Sequence, residues 1–201
     1  MVHVHPRDES GRETLEARHV VDAVTAIRTL SPGLRVSVST RDGIIDGPAA
    51  KVAHVSGWPP PRLGGPDCAS VNWHEDGAVE VASALEGRGI GVEAGLWTPE
   101  AAWELVAGSW ARLVERVLVE VIPGATPGED GPAAARCILA ALGGPSAPVL
   151  VHGEQDWAWP VLRWARGAGF DVRIGLEDTC RLPSGREARD NAELVAVAAG
   201  T

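Results

Sequence analysis

The sequence predicts an α/β protein, and within that class a TIM (β/α) barrel that lacks its first βα unit. Short β-branched segments alternate with amphipathic segments rich in Ala, Leu and Glu, and this alternation is typical of a parallel sheet. Polar residues recur at the C-terminal ends of the β-branched segments, where barrel enzymes carry their active sites. No Gly-rich phosphate loop follows the first segment, although an open dinucleotide-binding sheet would normally have one.

Seven segments have the β-branched composition and the length of about five residues that are typical of strands. In chain order these are Val2–His5, Leu34–Ser39, Cys68–Asn72, Ile90–Glu93, Arg116–Val121, Pro148–His152 and Val172–Gly175. The segments predicted as helices are Leu15–Thr29, Gly47–Val55, Ala78–Gly87, Pro99–Ala107, Pro132–Leu142, Ala158–Ala168 and Ala188–Ala199. Because a TIM barrel has eight strands, we expect residues 1–201 to form a single barrel domain that is short at its N-terminus.

Alternation within the strands separates an aliphatic face from a polar face, since successive side chains of a strand point to opposite sides. Most of the polar positions lie near the C-terminal end of their strand. They are His3, His5, Ser37, Ser39, Ser70, Asn72, Glu93, Glu120, His152 and Arg173. The pattern therefore predicts one polar site at the C-terminal ends of the strands.

Charge and composition exclude several classes of protein. The chain has 27 acidic and 18 basic residues and a net charge of −9, without the basic cluster that nucleic acids require. Its apolar runs are much shorter than the roughly 20 residues that cross a bilayer, and no signal peptide is recognised. Cys68, Cys137 and Cys180 lack paired spacing, which favours a reducing compartment. We expect a cytoplasmic protein with neither nucleic-acid nor membrane partners.

His3 and His5 stand two residues apart on one predicted strand, so both imidazoles project to the same side and could bind one metal ion. An isolated His-x-His pair is more often a surface feature, but here both residues fall on the polar face. A catalytic metal site of this kind also needs a carboxylate and an open position for substrate. Glu177, at the end of the last predicted strand, is the best candidate for that ligand. The rival carboxylates are Glu93, Glu120 and Glu154.

Arg173 and Asp178 flank the predicted carboxylate ligand. A carboxylate held by a guanidinium beside a metal is a candidate general base, and a plain salt bridge is the alternative interpretation. Ser39 and Asn72 are short hydrogen-bonding residues at strand ends, suited to a substrate carboxylate or carbonyl oxygen. Residues of these types also cap helices, so both interpretations stay open for them.

Two segments of the sequence resemble the signatures of a known family. HVHPRD at residues 3–8 resembles the His-x-His-x-Arg-Asp opening of the β-keto acid cleavage enzymes, the family of the 3-keto-5-aminohexanoate cleavage enzyme. RIGLED at residues 173–178, followed by Gly185 and by NAELV at residues 191–195, resembles the more specific closing signature. ST at 39–40, SVN at 70–72 and GVE at 91–93 fall in the family's order between them.

The resemblance implies a TIM barrel that binds a divalent metal, usually zinc. It implies that His3, His5 and Glu177 are the metal ligands. The implied reaction condenses a β-keto acid with acetyl-CoA and gives a new CoA ester and acetoacetate. It also implies that Asp178 is the base, that Arg173 and Glu93 hold and tune it, and that Ser39 contacts the substrate.

Two alternative functions stay open at this point. The chain could be an inactive barrel remnant that acts as a metal-binding or partner-binding module, or a metal-dependent hydrolase or aldolase on the same barrel. Intact metal-ligand positions favour an enzyme, whereas the absence of a first strand favours the remnant. The expected partners are a small β-keto acid, a CoA thioester and further copies of the chain in a homo-oligomer.

Overall fold

The structure, a computed structural model, describes residues 1–144 and 146–200 and has an α/β fold. Its strands are β1 (Val2–Val4), β2 (Val36–Ser39), β3 (Cys68–Asn72), β4 (Gly91–Leu96), β5 (Arg116–Val121), β6 (Val149–Gly153) and β7 (Asp171–Val172). Its α-helices are α1 (Ala17–Leu30), α2 (Pro48–Ser56), α3 (Ala78–Gly87), α4 (Pro99–Ala107), α5 (Gly131–Leu142), α6 (Ala158–Gly167) and α7 (Asn191–Ala199). Strand and helix therefore alternate along the described chain, as the sequence pattern predicts.

In the described residues the sheet has seven strands, and its hydrogen-bonded order follows the chain order from β1 to β7. The pairs β1–β2, β2–β3, β5–β6 and β6–β7 are parallel. Each strand is connected to the next through a helix, which is the connection that neighbouring parallel strands require. The predicted α/β class with a parallel sheet is confirmed, and closure into a barrel stays a prediction.

The chain divides into two compact units, and the prediction of a single domain over residues 1–201 stays a prediction. The first unit comprises Met1–Ala94 and Leu113–Glu115. In its core the Trp58 side chain is fully buried and its Nε1 donates a hydrogen bond of 2.8 Å to the Leu15 carbonyl. A side chain at position 91 would collide with the Glu115 carboxylate, and glycine avoids this contact. The Glu115 carboxylate forms an ion pair with Arg35.

The second unit comprises Gly95–Arg112 and Arg116–Thr201. Trp159, Leu162 and Leu194 form the centre of an apolar cluster that joins α6 to α7. The Trp159 Nε1 also donates a hydrogen bond of 2.7 Å to the Arg181 carbonyl. This bond attaches the loop between β7 and α7 to helix α6.

The structure corrects the sequence-based predictions at the last strand and the last helix. The strand predicted over Val172–Gly175 already ends at Val172, because the Gly175 carbonyl accepts turn hydrogen bonds from the amides of residues 178 and 179. The helix predicted from Ala188 begins at Asn191, since the Asp190 side chain caps it. Boundaries elsewhere agree to within three residues, and β3, β5, α3 and α4 are as predicted. Within the described residues, no helix is both long and apolar enough to cross a membrane.

Candidate active site

The two predicted histidine ligands lie side by side in the first unit. His3 is in β1 opposite Ser37 of β2, and His5 directly follows the strand. Their ring centroids are 5.3 Å apart and their planes are nearly perpendicular. The two-residue spacing therefore places both imidazoles on one side, as predicted.

The contact of His3 with Ser37 determines which ring nitrogen of His3 carries the proton. His3 Nδ1 lies 3.1 Å from the Ser37 hydroxyl oxygen, and that hydroxyl donates its proton to the Glu93 carboxylate. A hydroxyl has a single hydrogen, so the Ser37 oxygen must accept from His3, and Nδ1 must carry the ring proton. The neutral ring then presents Nε2 as the atom able to bind a metal. Glu93 is 2% exposed and acts on His3 through Ser37.

A carboxylate that the sequence analysis missed holds His5. Glu13 Oε2 lies 3.1 Å from His5 Nδ1 and 2.8 Å from Arg41 Nη2, and Arg7 contacts its other oxygen. Burial alone would raise the pKa of Glu13, but the hydrogen bond with His5 and the charge of Arg41 hold it below its usual value. Glu13 therefore accepts the Nδ1 proton of His5 and leaves Nε2 as the ligand atom.

Turn chemistry between His5 and Glu13 could have indicated this contact. The Asp8 carboxylate accepts hydrogen bonds from the amides of Ser10 and Arg12, and Gly11 has a φ of 82°. Asp at the first position and Gly at the fourth position of such a segment are typical of a tight turn. A chain that reverses here brings Glu13 back beside the histidine strand.

In the second unit the structure brings together Arg173, Glu177 and Asp178. Arg173 Nη2 lies 3.1 Å from Asp178 Oδ1 and 3.1 Å from Glu177 Oε2. Burial alone would lower the pKa of Arg173, yet the charges of Asp178 and Glu177 raise it above its ordinary value. Glu177 is on the turn that follows β7, not at a strand end as predicted. The predicted association of guanidinium and carboxylates is observed, while the catalytic and ligand roles stay predictions.

His152 joins this cluster from β6. Its Nδ1 lies 3.0 Å from Asp178 Oδ1, and its Nε2 lies 3.4 Å from Glu120 Oε2 on β5. Burial alone would raise the pKa of Asp178, but the contact with His152 and the charge of Arg173 lower it. Asp178 is therefore ionised at neutral pH. From the sequence, both His152 and Glu120 were predicted to lie on the polar face, and Glu120 was in addition a rival metal ligand.

The predicted substrate residues Ser39 and Asn72 are both buried in the first unit. Ser39 Oγ accepts a hydrogen bond of 3.4 Å from the Arg41 amide. Asn72 Nδ2 donates to Glu75 Oε1 over 2.7 Å, and the other oxygen of Glu75 lies 2.5 Å from Lys51 Nζ. The structure thus assigns both side chains intramolecular partners, and substrate contact stays a prediction.

Lys51 is the only lysine of the chain, and its side chain is 2% exposed. Its Nζ contacts Asp42 Oδ1 at 2.6 Å in addition to Glu75. Glu75 also accepts a hydrogen bond of 2.9 Å from the Asp42 amide. A buried ammonium between two carboxylates therefore connects α2 to the loops that follow β2 and β3.

A cavity of about 550 Å³ opens beside the acidic residues of the second unit. Its lining includes Glu177, Asp178, Trp159, Arg163 and Arg181. Cavities of this size accommodate small organic ligands. Asp178 therefore lines a space large enough for a small organic substrate.

The donor set fits a divalent metal. Imidazoles that bind zinc usually give their second ring nitrogen to a carboxylate or another acceptor, which sets the tautomer and orientation. His5 has this arrangement with Glu13, and His3 has it with Ser37. Catalytic zinc sites combine two oriented imidazoles of this kind with a carboxylate ligand.

Comparison with known proteins bears on the family of the chain. A search of curated proteins found no match to the chain. The family model of the beta-keto acid cleavage enzymes matches residues 1–201. This match confirms the resemblance seen in the two sequence signatures, and the chain belongs to the beta-keto acid cleavage enzyme family.

Proposed function

We propose that this protein transfers the acyl part of a β-keto acid to CoA. In this reaction a β-keto acid and acetyl-CoA give a new CoA ester and acetoacetate, so that one carbon–carbon bond is broken and one is formed. The observation that carries the proposal is the buried Asp178 carboxylate, which is held by Arg173 and His152 beside a cavity. Membership of the family supplies the reaction class.

We place the divalent metal, by preference Zn²⁺, on His3, His5 and Glu177. When bound, such an ion supplies a Lewis acid that polarises the ketone and stabilises the enolate formed on cleavage. The proposal is supported by the Nδ1 contacts of both histidines, which orient Nε2 as the ligand atom. Arg173 supports Glu177 as a ligand because its Nη2 holds that carboxylate in place, 3.1 Å from Oε2.

Asp178 is the proposed general base, and it removes a proton from the carbon between the keto and carboxylate groups. Its lowered pKa keeps it unprotonated at neutral pH. A low pKa also makes a weak base, so Asp178 would depend on a bound metal ion to increase the acidity of the substrate carbon. The base and the metal requirement are therefore linked.

The remaining predicted residues have supporting roles in this proposal. Ser39 and Asn72 hydrogen-bond the carboxylate or keto oxygen of the substrate. Glu93 orients His3 through Ser37, in addition to the tuning of Asp178 that the resemblance implies. These assignments divide the side chains into those that hold substrate, those that hold metal and one that moves a proton.

Metal analysis together with a panel of β-keto acids and acetyl-CoA tests the proposal. We expect one divalent ion per chain and formation of acetoacetate from at least one keto acid. His5→Ala should lose both the metal and turnover, because removal of a ligand opens the site. Asp178→Asn should keep the metal and lose turnover, since the amide keeps the size but accepts no proton. His74→Ala, a change at an exposed histidine, is the control and should alter neither.

Three results would contradict parts of this assignment. Equal metal content in the wild type and in His5→Ala would remove His5 from the site. Normal acetoacetate formation by Asp178→Asn would remove Asp178 from the role of base. A metal-loaded wild type that cleaves no keto acid of the panel would favour the metal-binding module over the enzyme.

A further inference from the structure

His152 has an environment that neither a core residue nor a surface histidine normally has. Its side chain is 1% exposed, and it lies between two carboxylates that come from different parts of the fold. Glu120 is its register partner on β5, and Asp178 is on the turn after β7. Burial of a charged or polar group costs free energy unless the group is paired. The two carboxylates are the partners that offset this cost for His152.

The contacts indicate a charged ring. Among the described residues neither ring nitrogen makes a hydrogen bond of good geometry, although each lies within ion-pair distance of a carboxylate. Burial and the Arg173 guanidinium act to lower the pKa of His152, but Asp178 and Glu120 outweigh them and raise it to about 9. The Glu154 carboxylate, whose own pKa is raised by burial, also interacts electrostatically with His152.

The two contacts differ in their consequences. Nδ1 contacts the carboxylate that the proposed function uses as its base, whereas Nε2 contacts a carboxylate with no assigned role in the reaction. Arg173 already holds Asp178 Oδ1 at 3.1 Å, and His152 approaches the same oxygen at 3.0 Å. Arg173 and His152 therefore both contact Oδ1 of Asp178, and neither of these two contacts involves Oδ2.

We propose that His152, fixed by Glu120, is a positioning residue that holds Oδ1 of Asp178 and so presents Oδ2 to the substrate. This inference rests on the proposed function, because it assigns His152 a role in the reaction of the same site. His152 acts through Asp178 and touches no substrate. Glu120 sets the ring orientation from the opposite side, which is the arrangement by which a carboxylate commonly orients a functional histidine.

Two substitutions of His152 separate its contacts. His152→Asn keeps an N–H donor near the position of Nδ1, toward Asp178, and removes the contact to Glu120. His152→Gln keeps a donor near the position of Nε2, toward Glu120, and removes the contact to Asp178. We expect His152→Gln to lower kcat by about 10- to 100-fold, within the range of positioned acid–base groups, with KM for the keto acid changed less than about 2-fold. His152→Asn should restore part of that loss.

His19→Gln is the matched control. His19 is also buried and its Nε2 lies 3.6 Å from Glu9, but it belongs to the first unit and has no place in the proposal. We expect its kcat to equal that of the wild type. Metal content should be the same in all of these variants, because none changes a proposed ligand.

A readout independent of turnover is the ¹⁵N NMR spectrum of the imidazole nitrogens, which distinguishes a charged ring from a neutral one. The His152 signal is identified as the one that disappears in His152→Gln. In the wild type we expect this signal to be that of an imidazolium at pH 8. In Glu120→Gln we expect it to titrate at a lower pH. A neutral ring at pH 8, or a His152→Gln variant whose kcat stays within about 2-fold of the wild type, would overturn the inference. If the spectrum shows the imidazolium but the wild type forms no acetoacetate, the contacts of His152 are confirmed and the proposed function is what fails.

Discussion

Replacement of Lys51 by methionine is expected to destabilise the protein strongly. Methionine fills a similar volume but leaves the Glu75 carboxylate, which is 7% exposed, without its buried counter-charge. Removal of one partner of a buried ion pair typically costs about 3–5 kcal/mol. Two features favour the lower end of that range: Asp42 is 61% exposed and can be hydrated, and Glu75 keeps hydrogen bonds from the Asp42 amide and from Asn72. We expect a loss of about 3 kcal/mol.

Urea unfolding at pH 7, followed by circular dichroism, measures this loss as a difference in unfolding free energy. The double variant Lys51→Met/Glu75→Gln removes the unpaired charge and should regain at least about 1 kcal/mol. Lys51→Arg keeps the charge but forces a larger planar group into a filled site, and should cost about 1–3 kcal/mol. Arg18→Met breaks the exposed pair with Glu16 and should cost less than about 1 kcal/mol. A loss below about 1 kcal/mol for Lys51→Met would refute the reasoning.

Three further predictions follow from contacts described above. Glu13→Gln should weaken metal affinity by about 10- to 100-fold, because it removes the carboxylate that orients His5; unchanged affinity in a metal titration would contradict this role. The raised pKa of His152 should contribute about 3 kcal/mol of stability that is complete below pH 6.5 and is lost as the pH rises through about 9. Urea unfolding at pH 7 and pH 10 should show that loss in the wild type, and a smaller one in His152→Gln. Gly91→Ala places a Cβ against the Glu115 carboxylate and should cost about 1–3 kcal/mol in the same assay, whereas an unaffected midpoint would show that the ion pair with Arg35 moves freely.

Local patterns predicted the parts of the fold that depend on short stretches of sequence. The alternation that placed His3 and His5 on one side needs only the two-residue period of a strand, and β3 and β5 were recognised at their full lengths for the same reason. The last strand was predicted too long because its β-branched composition continues to Ile174. Turn hydrogen bonds to the Gly175 carbonyl, which composition does not reveal, end the regular structure earlier.

The residues of the candidate site that belong to the family signatures could be predicted from the sequence. Contacts between residues that are distant in sequence could not. Arg173 and Asp178 are close in sequence, and their ion pair was foreseen as an alternative to a catalytic role. The pairing of Glu120 with His152 depends on the register of β5 and β6, which the sequence alone does not give. Glu13 depends on a reversal of the chain at Gly11. Glu120 and Glu13, which the sequence did not reveal as partners, both hold a histidine of the candidate site in position.

The burial of Lys51 has a chemical consequence for the whole surface of the protein. Every other basic side chain that carries a formal positive charge is an arginine, and guanidinium groups do not react with acylating reagents at neutral pH. The folded chain thus shields its single ε-amine, which is enclosed between Glu75 and Asp42, from such reagents. Acylation of that amine requires the first unit to open, so its rate reports local unfolding without any engineered label.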